Sequence, residues 1–415
     1  MPSSTHASSD SAPSSSPDTL SYNIVALLGL LTAIGPVSTD MYLPAFPAIE
    51  QSLGSGNGSA QMTLATWFIG LSLGQFCSGP LSDRFGRRQP LLIGMMIYTL
   101  ASAGCAMTSD FYSFCFFRFL AGIGGAVGAV IPRAIVRDVA TGRAGARIMT
   151  QLMLIFGVAP VLAPSLGGAV LMFGSWRWIF WIATIYGLCS IIISSFILPD
   201  TLPISRRNPL DPTAIIVRYA RILREPNFLL CALISSAGTF VTFAYIGAAP
   251  IVFEQMLHFT PSSFALFFGV NAACFILANQ ISGHLIHRFE ISRLMIAGIT
   301  VCFSTASLGL FLATFHIITA SNPLIICLII TGCTASLGFV GANASVLAFH
   351  HHGSHAGSAS ALLGTLQFAF GAVSGGLMGW LASNSLIPMM FGMGLGATLM
   401  VICATLRQRL PDSEK

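Results

Sequence analysis

Twelve apolar runs, each bounded by turn residues or charges, follow one another from residue 22 to residue 406, and they decide what this chain can become. They fall at 22–46, 61–82, 90–107, 111–136, 148–172, 177–198, 227–253, 262–286, 294–314, 323–349, 356–382 and 387–406, numbered here as spans 1 to 12. A helix needs about 20 apolar residues to cross the hydrocarbon core of a bilayer. Backbone in lipid must also satisfy its own hydrogen bonds, so each run reads as a transmembrane helix. Only 8% of the 415 residues are charged, against about 25% in a soluble domain, and the mean hydropathy is +0.80. So few charges cannot cover a water-facing surface. The expected fold class is all-α integral membrane.

One connection, 199–226, is long and polar enough to join two halves; it is Pro-rich and carries Arg206, Arg207, Arg218, Arg221 and Arg224. The chain thus divides into a Ser/Thr/Pro-rich disordered tail (1–21), a six-helix bundle (22–198), a linker (199–226), a second six-helix bundle (227–406) and a short tail (407–415). Arginines mark alternate loops: Arg84, Arg87 and Arg88 between spans 2 and 3; Arg137, Arg143 and Arg147 between spans 4 and 5; the linker; Arg288 and Arg293 between spans 8 and 9. The opposite set has only Arg177. By the positive-inside rule, the arginine-rich loops and both termini are cytoplasmic. An internal repeat supports the division: Gly79 to Phe85 (GPLSDRF) closes span 2, and Gly283 to Phe289 (GHLIHRF) closes span 8. Duplicated six-helix units are a common build for secondary transporters.

The net charge of +5 comes from basic residues that, Arg118 and Arg133 apart, sit in loops or at the span ends and are not gathered on one face, so nucleic acid is not an expected partner. Ten cysteines lie singly with no CxxC pair, as small apolar core residues do. His350, His351, His352 and His355 form a cytoplasmic loop between spans 10 and 11; with no acidic or Cys residues beside them they read as a weakly basic loop, and no metal or other cofactor is expected.

Charge inside hydrocarbon is costly, so intramembrane ionisable residues are functional candidates by default. There are few: Asp40, Arg118 and Arg133, with Glu254 at a span end. Asp40, in the stretch from Ser38 to Pro44 (STDMYLP), and Arg118 lie about six and seven residues from the outer ends of spans 1 and 4, roughly 9–10 Å deep at 1.5 Å per residue. Dry surroundings favour the acid form of Asp40 and a nearby guanidinium favours the carboxylate, so a partner that moves would load and unload a proton. The alternatives are a static ion pair, or an Asp that caps a broken helix before Pro44. Asp83, Arg84, Gly86, Arg87 and Arg88 make the most specific string in the chain. Gly86 permits a tight reversal, and Asp138, at the same end of span 4, is placed to meet Arg87 as a cytoplasmic latch; topology alone would also explain the arginines. Span 5 carries Gly157, Pro160, Pro164, Gly167 and Gly168. Small residues permit close helix approach and prolines bend, which suits a gating helix as well as plain packing. Tyr42, Trp67, Gln75, Tyr245, Asn271, Asn343 and Gln367 are candidates to line a substrate cavity, or to tie helices together.

Together these strings resemble the major facilitator superfamily, in particular its twelve-helix drug/proton antiporters of the bicyclomycin and chloramphenicol resistance type. The likeness covers residues 22 to 406 and is carried by Ser38 to Pro44, Gly79 to Arg88, Arg118 to Gly122 (RFLAG) and Ala163 to Gly168 (APSLGG). It implies a major facilitator fold in a bacterial inner membrane. It also implies export driven by the proton gradient, with Asp40 and Arg118 in proton coupling and Asp83, Arg87 and Asp138 in a cytoplasmic gate. Three positions depart from the pattern. Thr32 stands where some relatives carry a second acid, which points to neutral or zwitterionic rather than cationic substrates. Ala121 and Ala163 replace a frequently polar residue and a Gly. The expected function is a monomeric, proton-coupled antiporter working by alternating access on small amphipathic molecules such as drugs. An exporter of amino acids, peptides or related metabolites is the alternative. A membrane-embedded enzyme is remote, because Asp40 and Arg118 lack clustered nucleophiles or ligands.

Overall fold

The computed structural model describes residues 22–56, 58–140, 142–207, 211–350 and 356–411. The N-terminal tail and His351, His352 and His355 lie outside them. Among the described residues every regular element is helical. The long stretches are Tyr22–Leu53 (span 1), Ser59–Phe85 (2), Arg88–Met107 (3), Phe111–Val139 (4), Gly142–Phe173 (5), Arg177–Ile197 (6), Pro226–Met256 (7), Pro261–Leu285 (8), Ile291–Thr314 (9), Pro323–Phe349 (10), Ala356–Trp380 (11) and Ile387–Gln408 (12).

Local chemistry sets the ends. The Asp110 carboxylate accepts from the Ser113 N–H at 2.8 Å and starts span 4, and the Thr260 hydroxyl accepts from Ser263 N–H at 3.2 Å and starts span 8. Each satisfies an orphan donor of a first helical turn, worth about 1 kcal/mol. Glu50 does the same from a distance: its Oε1 accepts from Gly58 N–H (2.8 Å) and Ala60 N–H (3.2 Å) at the start of span 2.

Span 1 is longer than its apolar run suggests. It continues to Leu53 through a short 3-10 turn, Leu43–Ala45, because Pro44 and Pro47 each stand in the first positions of a new helical segment, where a missing N–H is harmless. Asp40 is therefore thirteen residues, not six, from the outer end. Span 5 bends by 41° between its segments Arg147–Pro160 and Leu162–Phe173, in the turn where Pro164 has no N–H to donate. Ten of the described helices are apolar and long enough to cross a membrane, or eleven with this bent pair counted once. Ser59–Phe85 is long enough but too polar. Its Gln61, Thr63, Ser72, Gln75, Ser78 and Ser82 are buried by neighbouring helices, where polarity is tolerated.

The first bundle is centred on span 4, which packs against spans 2 and 3, while span 3 packs on span 6; in the second, span 7 packs on 10, 11 and 12, and span 9 on 12. The bundles meet along two seams, span 2 with span 11 and span 5 with span 8. On the first seam Phe68 sits between Phe243 (ring centroids 4.1 Å apart) and Phe368 (5.9 Å), Gln61 Nε2 donates to the Gly247 carbonyl (3.2 Å), and Ser72 donates to the Thr365 carbonyl (2.8 Å). The linker holds a helix that hydropathy does not announce, Pro212–Leu223, capped by Asp211. Its Tyr219 and Ile222 are buried in a small second core with Phe228 and Leu362, against which Phe76 packs.

The duplication reaches the first helix of each half. Thr39 to Pro47 reads TDMYLPAFP and Thr242 to Pro250 reads TFAYIGAAP, sharing Thr, Tyr, Ala and Pro at a constant offset of 203. From Glu50 and Glu254 onward, and at Gly79 and Gly283, the offset is 204. The structure shows one way the second half absorbs an extra residue: Ile251–Met256 is a π-helical turn, whose i→i+5 bonds take up more chain per turn.

Candidate functional site

The site candidates gather in two places. The first is built on the loop between spans 2 and 3. Gly86 has φ of +86°, a left-handed backbone that disfavours a side chain, and a Cβ there would fall 2.0 Å from Asp200 Oδ2. This reversal buries Arg87. Its Nε donates to Asp138 Oδ2 at 2.7 Å, and its Nη1 to Asp83 Oδ1 at 2.6 Å and Ser82 Oγ at 2.8 Å. Burial works against the Arg87 charge, but the Asp138 and Asp83 carboxylates outweigh it and hold the guanidinium above its usual basicity. Arg88 donates to the Ser195 carbonyl, and Arg84 is exposed. Asp200, which sequence reasoning passed over, accepts from Arg87 N–H (2.9 Å) and pairs with Arg207 (2.6 Å). Its signal was an acid directly after Pro199 at the end of span 6. All these groups belong to the first half and the linker, so the Arg87 latch ties spans 2, 4 and 6 rather than one half to the other. Across the halves, Arg137 lies beside the start of span 11, its guanidinium within 3.5 Å of where a Cβ on Gly357 would stand.

The second place is the middle of the first bundle. Arg118 is 2% exposed and donates from Nη1 to the Ser38 carbonyl at 3.1 Å. Its guanidinium lies over Tyr42 (4.3 Å to the ring centroid), Trp67 (4.9 Å) and Phe180 (5.8 Å), all within cation–π range. Tyr42 is itself held by Thr63 (3.2 Å), and Tyr98 by Ser38 (2.7 Å). Asp40, two residues past Ser38, is 4% exposed. No ion pair joins Asp40 to Arg118 among the described residues, so the static pair, one of the alternatives, is not seen in this arrangement. Asp40 instead lies within electrostatic reach of Tyr245, across the seam in span 7. The buried Tyr245 hydroxyl has no hydrogen-bond partner among the described residues. Thr32, in place of a second acid, donates to the Leu28 carbonyl (2.8 Å) and is locally satisfied. Arg133 and Glu254 are half-buried in spans 4 and 7.

The remaining candidates separate. Gly167 is needed for close approach: a Cβ there would fall 1.8 Å from the Met41 carbonyl oxygen, directly after Asp40. Gly168 faces open space, and Gly157 meets Ile276 at an ordinary 3.6 Å. Pro160 and Pro164 frame the bend. Gln75 packs against Gly364 of span 11. Asn271 accepts from Thr334 (2.9 Å), Asn343 donates to Ser282 (2.9 Å) and Gln367 to Ser235 (2.8 Å). In this arrangement these three tie neighbouring helices of the second bundle.

Two six-helix bundles meeting along helix seams, with ionisable groups held at membrane depth, define a polytopic membrane transporter. The family model of the Major Facilitator Superfamily matches residues 28–375, and the chain belongs to that superfamily. It is 36% identical to the uncharacterized MFS-type transporter YdgK of Bacillus subtilis, over 88% of this chain and 90% of that one. It is 27% identical to a bicyclomycin resistance protein homolog of Haemophilus influenzae (91% and 94%) and 26% identical to the multidrug resistance protein MdtL of Klebsiella pneumoniae (90% and 94%). Among solved structures it is similar to a D-xylose-proton symporter, with a TM-score of 0.73, 16% identity and 95% and 98% coverage. The fold is that of the superfamily, and family and fold are those of transporters rather than enzymes.

Proposed function

We propose that this protein is a proton-coupled antiporter of the bacterial inner membrane, with both termini cytoplasmic, that exports drugs or other small amphipathic, neutral or zwitterionic molecules by alternating access. The observation that carries the reading is Asp40: a buried carboxyl beside the break in span 1, within electrostatic reach of Tyr245 and with no ion pair to Arg118 among the described residues. A carboxylate without a counter-ion is costly in a dry site, so its proton leaves only when water or substrate reaches it. Coupling follows if substrate from the cytoplasmic side and protons from outside reach Asp40 in turn. One proton entering down the potential supplies about 2.3 kcal/mol per 100 mV, enough to concentrate an uncharged drug outward. The likeness to relatives named for bicyclomycin and multidrug resistance supports the substrate class.

Gly167 brings span 5 against the Met41 carbonyl, so bending of span 5 is transmitted to the backbone next to Asp40. The Arg87, Asp83 and Asp138 cluster serves as the cytoplasmic gate by holding spans 2 and 4 in one register. The protein works as a monomer with no cofactor; its partners are substrate, protons and the surrounding lipid. The test is efflux from an efflux-deficient bacterial host against phenicols, bicyclomycin, sulfonamides, fluoroquinolones and cationic dyes, with Asp40→Asn as control. Resistance to neutral or zwitterionic drugs that vanishes in Asp40→Asn is the expected result. Uphill efflux by a correctly inserted Asp40→Asn protein would overturn the coupling assignment.

A further inference from the structure

Arg118 is oversupplied with donors. Of its guanidinium nitrogens only Nη1 has an acceptor, the Ser38 carbonyl; Nε and Nη2 are buried without one among the described residues, and so is the indole Nε1 of Trp67. All three belong to side chains that line one small cavity inside the first bundle, walled in part by Ser38, Tyr42, Trp67, Tyr98, Ser102 and Arg118 and for the rest by apolar side chains and Cys105. The walls therefore offer a full positive charge, an indole N–H and the hydroxyls of Ser38, Tyr98 and Ser102, with no carboxylate. Asp40 is not part of the lining. The aromatic faces over Arg118 soften the cost of its burial, but Nε and Nη2 have no hydrogen-bond acceptor among the described residues. A buried cation with orphan donors requires a counter-charge or ordered water.

We infer that this cavity binds one small monatomic anion of the chloride class, held by Arg118 Nε and Nη2 and by Trp67 Nε1. The cavity is small, close to the least space that holds one water, so a halide enters only with a slight outward shift of the walls, and a carboxylate or a phosphate requires a larger one. The lining donates and does not carry negative charge, which favours an anion over water. The anion neutralises Arg118 in the state described here, in which no ion pair joins Arg118 to Asp40 among the described residues. This role is separate from proton coupling: binding is read in detergent with no gradient, so it stands or falls independently of Asp40.

The test uses the purified full-length protein. Chloride is exchanged for gluconate at constant ionic strength and the melting temperature is followed, and crystals grown in bromide are searched for anomalous scattering beside Arg118. The expected result is a saturable rise in melting temperature with chloride and a bromide peak between Arg118 and Trp67. Trp67→Phe keeps the charge and the ring but loses one donor, and should raise the half-saturating chloride concentration about tenfold; Arg118→Gln should abolish the effect. Identical melting in chloride and gluconate, no bromide peak, or a chloride response unchanged in Trp67→Phe would overturn the assignment.

Discussion

Spans 1 and 7 descend from one repeat, and the differences between them separate the labour of the two halves. At the position of Asp40 the second half has Phe243, which packs on Phe68 of the first half at 4.1 Å. Tyr42 is held by Thr63 and covered by Arg118, while its counterpart Tyr245 stacks on Phe268 and leaves its hydroxyl without a partner among the described residues. The loops diverge likewise. Gly86 and Arg87 correspond to Glu290 and Ile291, and the buried Arg87 cluster gives way to an exposed Arg293–Glu290 pair with side chains 74% and 70% exposed. A duplicated scaffold keeps the helices in register, while the first copy carries Asp40 and the Arg87 cluster where the second has Phe243 and an exposed pair.

The largest expected effect lies at the Asp40/Phe243 position. Asp40→Asn should reduce proton-driven uptake into everted vesicles at least about a hundredfold, the scale of losing an interaction worth ~3 kcal/mol, whereas Phe243→Leu should stay within a few-fold; equal losses would erase the contrast. Next comes the loop. Arg87→Ala strips a buried cation from two carboxylates and should cost about 3–5 kcal/mol in denaturant unfolding, against less than ~1 kcal/mol for Arg293→Ala. A comparable loss for both would show that burial of Arg87 does not matter. Third is helix approach: a Cβ on Gly70 would stand 2.1 Å from the Phe119 carbonyl, while Gly283 has nothing within 4 Å. Gly70→Ala should destabilise by about 1–3 kcal/mol and Gly283→Ala by almost nothing, as thermal melts will show. The smallest contrast is between the tyrosines. Tyr42→Phe loses a hydrogen bond worth about 1 kcal/mol and Tyr245→Phe loses none, so its melting temperature should stay put; a fall in transport with unchanged stability would mark Tyr245 as a substrate or proton contact.

Most of the architecture was legible in hydropathy, because lipid forces each apolar run of sufficient length to be a helix. The linker helix escaped: Tyr219 and Ile222 bury one side of a short segment whose arginines dominate its composition. So did the outer extension of span 1, where two prolines look like a stop but act as the starts of new turns. In the site, Arg87 with Asp83 and Asp138 lay within reach of sequence because their chain spacing placed all three at one membrane face. Asp40 and Arg118 stood out in the sequence as charges within apolar runs, and both are buried, but their relation was not readable. Whether two such groups pair depends on side-chain direction around a broken helix, and the three rings that enclose Arg118 come from spans 1, 2 and 6.

The helix Pro212–Leu223 joins the halves by contact as well as by chain. Its Tyr219 donates to the Phe76 carbonyl of span 2 (3.4 Å) and rests edge-on against the Phe76 ring, while Ile222 is seated against the second bundle. A slack tether would let two rigid bodies swing freely; a strut braced on both limits the stroke. Under the proposed alternating access, an opening on this side must either carry this strut along with one bundle or break the Tyr219 contact with the other, so on that reading the linker limits the stroke and favours one resting position.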